Sequence, residues 1–188
     1  MYATLADVKG YLSIDTLATE ADVLLTRLLA AAEAAIDQHT GRSFAVAADT
    51  THYFDSCAVS GQTLFLDAEL AQLTSVTNGD DTAIDVAELR TMPRNRGPYF
   101  ALVVPSALRW AIDDSDAEVA VTGRWGYSVA APEDIRQAAI RLTTHWYRLK
   151  DAQVFDVVET AEGGSLIVPK GMPADVKQTL ALYKRVTL

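Results

Sequence analysis

The sequence predicts an α+β fold in which a bundle of about four helices is interrupted by an inserted antiparallel β-sheet or small sandwich. Apolar residues recur with helical spacing near both ends of the chain. Between them the helical period disappears, and short runs of β-branched and aromatic residues alternate with glycine and proline. We therefore expect one helical domain formed by residues 1–43 and 129–188, with residues 44–128 as a β-rich subdomain.

Two helices are predicted at the N-terminus, near residues 5–12 and 20–40. The second carries a broad apolar stripe at helical spacing: Leu24, Leu25, Leu28, Leu29, Ala32 and Ile36. Each helix is preceded by a capping-box pattern, a threonine followed three residues later by an aspartate: Thr4 with Asp7, and Thr19 with Asp22. Gly41 is expected to end the second helix, because glycine enters the left-handed region without a Cβ penalty.

The insert contains five strand-like runs, rich in β-branched and aromatic residues: 50–54, 63–66, 73–77, 99–104 and 118–122. Asn78-Gly79 predicts a two-residue hairpin turn, because a type I′ turn requires positive φ at both central positions. Short strands joined by such turns favour an antiparallel sheet or a small sandwich.

Two further helices are predicted after the insert. Pro132 suits the first helical position, and this helix should run to about Lys150. Pro173 opens the last helix. The connection between them, 151–171, is longer than is usual inside a compact domain, which is typical of a functional or disordered segment.

Composition limits the classes of function. The formal net charge of -9 disfavours a non-specific nucleic-acid binder, because such proteins neutralise phosphates with lysine and arginine. The single cysteine, Cys57, excludes an intrachain disulfide and a zinc site built on several thiolates. We expect no signal peptide, since residues 1–5 lack a basic and an apolar region, and no membrane span, since the most apolar stretch is short and charged.

No motif predicts a catalytic residue, a metal site or a cofactor. His39, His52 and His145 lie outside any metal-binding pattern, and Cys57 has no nucleophile signature around it. The clustered carboxylates are interpreted as solvated turns, since they lack the spacing of a calcium loop: Asp80, Asp81, Asp113, Asp114 and Asp116. Because catalytic groups meet in space, a small intracellular hydrolase using His52 or His145 stays open as an alternative, as does a DNA-packaging accessory factor.

Several segments together resemble a known family. The first helices end in Thr40-Gly41-Arg42-Ser43-Phe44, the insert ends in Gly123-Arg124-Trp125-Gly126-Tyr127, a helix opens at Pro132, and the tail contains Pro169 and Pro173 before Leu180 and Tyr183. This series is similar to the head–tail connector proteins of tailed bacteriophages, also called adaptor or head-completion proteins.

The resemblance implies a structural protein without enzymatic activity or cofactors, located in the virion neck and made in the bacterial host cytoplasm. It implies a homo-oligomeric ring, usually a dodecamer, beneath the portal protein. Such a ring extends the DNA channel, lets the genome pass without specific binding, offers a platform to stopper and tail-completion proteins, and touches no membrane.

Two sets of contact residues are predicted. The last helix should meet the portal, because it carries an apolar face flanked by cations: Val176, Lys177, Leu180, Tyr183, Lys184 and Arg185. Apolar residues of the long connection should be buried between neighbouring subunits of the ring, since their exposure is costly: Val154, Phe155, Val157, Leu166, Ile167 and Val168. Basic residues on the helix before that connection suit either a solvated face or an acidic partner: Arg136, Arg141, Arg148 and Lys150.

Overall fold

A computed structural model describes residues 1–112, 118–149, 158–159, 165–166 and 171–185. The chain divides into two compact units, one formed by residues 1–42 and 131–188 and the other by residues 43–130. The first is helical and the second is a sheet, which confirms the predicted α+β class. No helix among the described residues has the length and apolarity needed to cross a bilayer.

Among its described residues, the helical unit contains four α-helices, as predicted: α1 (Leu5–Leu12), α2 (Asp22–Thr40), α3 (Glu133–Leu149) and α4 (Ala174–Ala181). Between α3 and α4, two short strands pair antiparallel, numbered β8 (Val158–Glu159) and β9 (Ser165–Leu166) in chain order. The core of the unit is made by residues that recur at helical spacing: Val8, Leu25, Leu29, Ala32, Ile36, Ile135, Ala139, Leu142, Val176 and Leu180.

The capping box at α1 is confirmed. The Thr4 hydroxyl accepts a hydrogen bond from the Asp7 N–H at 3.1 Å, and the Asp7 carboxylate accepts one from the Thr4 N–H at 2.8 Å. Gly41 also ends α2 as expected, with a φ of 66° and its N–H donating to the Asp37 carbonyl at 2.8 Å. The start of α1 and the end of α2 therefore follow from interactions between residues that are close in sequence.

The predicted capping box at Thr19 and Asp22 is wrong. The helix begins at Asp22 without a side-chain cap, and the Asp22 carboxylate lies 2.5 Å from the Nζ of Lys9 instead. Lys9 is only 3% exposed, and a buried ammonium requires an opposite charge. A tertiary ion pair therefore takes the carboxylate that the local pattern assigned to the cap.

Apart from residues 113–117, which the structure does not describe, the sheet unit has seven strands: β1 (Thr50–Phe54), β2 (Val59–Ser60), β3 (Thr63–Thr77), β4 (Ala83–Ile84), β5 (Arg90–Met92), β6 (Tyr99–Val103) and β7 (Val119–Trp125). Their main order is β1-β7-β3-β6-β5, with β2 and β4 also paired to β3, and every pairing is antiparallel. The predicted runs 63–66 and 73–77 are parts of one strand, β3, whose irregularities shift its register between neighbours.

The Asn78-Gly79 turn differs from the prediction. The loop spans Asn78 to Thr82, closed by the Asn78 N–H to the Thr82 carbonyl at 2.8 Å, and Asp81 rather than Gly79 has positive φ. The Asn78 side chain is buried and bonds elsewhere, donating to the Arg109 carbonyl at 3.1 Å and accepting from the Ala111 N–H at 2.9 Å. These two buried hydrogen bonds explain why an asparagine occupies position 78 although no type I′ turn forms there.

One core lies within the sheet unit. Its largest fully buried members come from the central strands and the segment after β6: Leu64, Leu70, Leu102, Val76, Val104 and Val119. Trp110 joins this core and donates from its indole nitrogen to the Gln62 carbonyl at 2.9 Å. At Gly123, where β7 passes β3, an added Cβ would lie 2.3 Å from the Gln72 carbonyl oxygen, so the strands meet at a distance that only glycine permits.

Candidate interaction surfaces

The histidine with the most elaborate surroundings is His52. Its ring stacks on Trp125, with centroids 3.9 Å apart and planes 13° apart, and its Nδ1 lies 3.1 Å from an Asp67 carboxylate oxygen. Among the described residues, no hydroxyl or thiol hydrogen-bonds to His52. A carboxylate–imidazole pair without an adjacent nucleophile is the arrangement of a packed histidine rather than of a catalytic triad.

Cys57 is exposed and its environment opposes nucleophilic chemistry. The hydrogen bond to Asp55 and the charge of that carboxylate raise the pKa of the Cys57 thiol. A raised pKa lowers the fraction of thiolate, which is the reactive form. Hydrogen bonds from the Cys57 side chain and backbone N–H lower the pKa of Asp55.

Within the described part of the chain, no three or more histidine, cysteine or acidic side chains converge on a point that suits a metal ion. The Asp80 carboxylate accepts from the Thr82 N–H at 3.1 Å, as in an ordinary Asx turn. Asp113, Asp114 and Asp116 lie outside the described residues.

The last helix holds the predicted portal-contact residues in two different environments. Val176 and Leu180 are buried in the core of the helical unit. Tyr183 is partly buried, and its hydroxyl contacts the Asp134 carboxylate at 2.7 and 2.9 Å. These three side chains therefore attach α4 to the chain's own helices. The exposed face of the segment carries the cations Lys177, Lys184 and Arg185.

A hydrophobic residue that the periodicity argument missed lies among those cations. Leu182 is 82% exposed, because it is two positions beyond buried Leu180 and so leaves the apolar stripe. The Arg185 N–H donates to the Thr40 carbonyl at 2.8 Å, which brings the tail to the C-terminal end of α2. We define the C-terminal patch as His39, Leu182, Lys184 and Arg185.

A depression of about 370 Å³ forms part of this patch, lined by Gln38, His39, Thr40, Gly41, Lys184 and Arg185. In this depression, Lys184 and Arg185 lie beside the C-terminal end of α2. A smaller depression of about 180 Å³ lies elsewhere on the helical unit and includes Arg141, His145 and Arg148, the first of which pairs with Asp175. Both depressions suit an acidic surface better than an apolar ligand.

Most residues of the predicted inter-subunit loop lie outside the described part of the chain: Val154, Phe155, Val157, Ile167 and Val168. Lys150, at the predicted end of α3, lies outside it as well. Leu166 belongs to β9, where its backbone is in register with Val158. The role of this loop stays a prediction.

The sheet unit exposes large apolar side chains on β1, β3, β5 and β6: Tyr53, Phe65, Met92 and Phe100. A depression of about 430 Å³ lies beside β5 and is lined by Thr63, Arg90, Thr91, Met92, Pro93, Arg94 and Val103. Three arginines concentrate in this region: Arg90, Arg94 and Arg96. Exposed apolar and cationic groups together are typical of a surface that meets another protein.

With these surfaces defined, comparison with known proteins decides the family. The model of a family described as head completion protein matches residues 2–186. The chain belongs to the head completion protein family. This membership confirms the predicted resemblance and the role of the protein as a head–tail connector, a structural component of phage-like particles. No curated protein matches the chain.

Solved structures share the head-completion fold. A chain from the neck of an empty gene transfer agent particle, computed with C6 symmetry, has a TM-score of 0.63 at 18% identity, covering 97% of this chain and 89% of the other. A chain from the neck of the native particle, computed with C12 symmetry, has a TM-score of 0.56 at 18% identity, with coverage of 98% and 89%. A chain of the native virion has a TM-score of 0.57 at 18% identity, covering 97% and 89%.

Proposed function

We propose that this head completion protein forms a ring in the neck of a tailed-phage-like particle, beneath the portal. The family match over residues 2–186 carries this proposal. The neck structures of similar fold, solved with C6 and C12 symmetry, support a ring whose copy number is a multiple of six, with twelve preferred. The ring extends the DNA channel and offers a docking platform to stopper and tail-completion proteins.

The charge of the protein suits a channel component. At a formal net charge of -9, the chain repels the phosphate backbone overall, so DNA slides past it instead of being held. We infer that the protein binds duplex DNA weakly and without sequence preference, and that its role in genome passage is geometric.

We infer that the C-terminal patch docks on the portal. The predicted apolar anchor formed by Val176 and Leu180 is occupied by the chain's own core, and exposed Leu182 takes its place. Lys184 and Arg185 flank Leu182, and Lys177 lies on the exposed side of α4. An exposed leucine surrounded by cations suits an apolar pocket with an acidic rim.

Gene replacement in a phage or gene transfer agent that encodes this chain tests the proposal. Without the chain, we expect DNA-filled heads that carry a portal but no tail, and the wild-type chain supplied separately should restore tails. Variants His52→Ala, His145→Ala and Cys57→Ser, all outside the C-terminal patch, should restore them as well, because the role is structural. Normal tailed particles without the chain would contradict the proposal, as would loss of infectivity in a fully assembled variant.

A further inference from the structure

The two outermost strands of the sheet leave their backbone edges open. Among the described residues, β1 pairs only with β7, and β5 pairs only with β6. In an antiparallel sheet, alternate residues of an outer strand direct N–H and C=O groups away from the sheet. Such a row of unpaired groups is a template for a strand of another chain unless the protein blocks it.

Both edges also expose a large apolar side chain. Tyr53 on β1 is 65% exposed, and Met92 on β5 is 41% exposed. Met92 is in register with Ala101 on β6, which is in register with the half-exposed Phe65 on β3, so an apolar row crosses this side of the sheet. Edge strands that are kept free of partners usually carry charged groups or proline. β1 contains no lysine, arginine, carboxylate or proline, whereas β5 begins with Arg90 and is followed directly by Pro93, so a partner strand at β5 must supply a group that pairs with the arginine.

The two edges carry opposite net charges. β1 is preceded by Asp49 and followed by Asp55, whereas β5 begins with Arg90 and is followed by Arg94 and Arg96, which outnumber the single carboxylate of Glu88 two residues before it. Asp49 is partly engaged, since Arg124 lies 3.3 Å from it, and Asp55 is exposed. No carboxylate within the described residues lies at ion-pair distance from Arg90, Arg94 or Arg96.

We propose that β5 of one copy pairs with β1 of the neighbouring copy, head to tail, so that the sheets of adjacent subunits join in the ring. This inference rests on the proposed function, which requires a ring. Because the interface uses two different edges of one sheet, it is heterologous, and such contacts generate closed rings when the rotation closes. Pairing of two identical edges would bring arginines together at β5 or aspartates together at β1, which is unfavourable.

Because β5 is short, the proposed interface depends on side-chain contacts as well as on backbone hydrogen bonds. With three residues, β5 offers only a short ladder of backbone hydrogen bonds. Side chains must supply much of the specificity: Tyr53 against Met92, and Asp55 against the arginines around β5. In the free chain, Asp55 and the arginines around β5 are exposed to water, and an ion pair between exposed groups contributes little to stability.

Site-directed cross-linking in assembled particles tests the pairing. In a Cys57→Ser background, the double variant Tyr53→Cys/Met92→Cys should, with a short bifunctional maleimide, give a ladder of covalent multimers up to the full ring. Each single variant alone should give essentially no ladder, because identical edges do not meet. Tyr53→Cys combined with Leu17→Cys is the matched control for random collision, since Leu17 is 86% exposed and lies in the helical unit.

A charge reversal supplies the second measurement. Arg90→Glu/Arg94→Glu should reduce incorporation of the chain into rings by at least tenfold, while Arg109→Glu, an exposed arginine of the same unit outside β5, should change it less than twofold. Rings that form normally, yet yield no Tyr53–Met92 ladder, would overturn the edge pairing and leave the proposed function intact. Particles whose necks contain no ring of this chain would overturn the proposed function itself.

Discussion

The Nζ of Lys9 lies 2.5 Å from a carboxylate oxygen of Asp22 and also donates to the carbonyls of Thr16, at 3.2 Å, and Ala18, at 2.7 Å. The ammonium therefore has two backbone carbonyl acceptors and one carboxylate at ion-pair distance, and the segment between α1 and α2 closes around a buried charge. A buried ammonium is tolerated only when it is paired with an opposite charge in this way.

Replacing Lys9 with Ala should destabilise the protein strongly. The substitution leaves the Asp22 carboxylate and two carbonyls without their partner, and breaking a buried ion pair costs about 3–5 kcal/mol. Urea unfolding of the purified chain measures the change in the free energy of unfolding. Lys177→Ala, at an exposed position, should change it by no more than about 0.5 kcal/mol. Equal stability of the two variants would contradict this assignment.

Asp7 should contribute stability that disappears in acid. Hydrogen bonds from the Thr4 backbone and side chain, and then from Arg136 at 2.6 Å, lower the pKa of Asp7 from 3.8 to about 2. Because the folded state binds this proton less tightly than the unfolded state, the contribution is complete above 3.8 and is lost as the pH falls toward 2.

The variant Asp7→Asn isolates that contribution. At neutral pH it should be less stable than the wild type by about 1–2 kcal/mol, because the capping box and the ion pair with Arg136 are both lost. The difference should shrink as the pH falls through the window above. A difference that stayed constant down to the lowest pH would show that the Asp7 charge is unimportant.

Gly123→Ala should disrupt the contact between β7 and β3. The new Cβ would lie 2.3 Å from the Gln72 carbonyl oxygen, a backbone atom that cannot move alone, so a cost of about 1–3 kcal/mol is expected. Gly10→Ala is the matched control: nothing lies within 4 Å of its Cβ, and alanine favours a helix by about 0.5–1 kcal/mol. Thermal melting should therefore shift in opposite directions, and a shift in the same direction would contradict the steric argument.

The C-terminal patch should determine attachment to the portal. Leu182→Asp/Lys184→Glu should weaken binding to portal-containing heads by about 2 kcal/mol or more, since a few residues carry most of the binding energy of an interface and the variant also places two carboxylates against an acidic rim. Neither side chain is buried in the free chain, so the fold should be retained, as circular dichroism would verify. Leu17→Asp, another exposed leucine of the helical unit, should bind normally. Unchanged binding of the double variant would show that the portal contact does not lie in the C-terminal patch.

The sequence predicted those features that depend on local chemistry. The capping box at Thr4 and the glycine end of α2 required only neighbouring residues, and the helical period located all four helices. Two other predictions from local sequence patterns are wrong, because the residues concerned bond to partners distant in sequence. Lys9 takes the Asp22 carboxylate from the expected cap, and the buried bonds of Asn78 replace the expected turn.

The contact residues show the same limit. Periodicity correctly grouped Val176 and Leu180 on one face, but it does not specify whether that face meets the chain's own core or a partner. Here the core takes it, and Leu182, outside the stripe, is exposed. The open edges of β1 and β5 also could not be predicted, because strand order depends on pairings between distant residues.

The ring proposed for this protein is tested by electron cryomicroscopy of the neck of particles that contain the chain, reconstructed without imposed symmetry. We expect a closed ring of this protein between the portal and the tail, with the DNA path through its centre. Particles in which the chain is missing from the neck, or present there only as isolated copies, would contradict it.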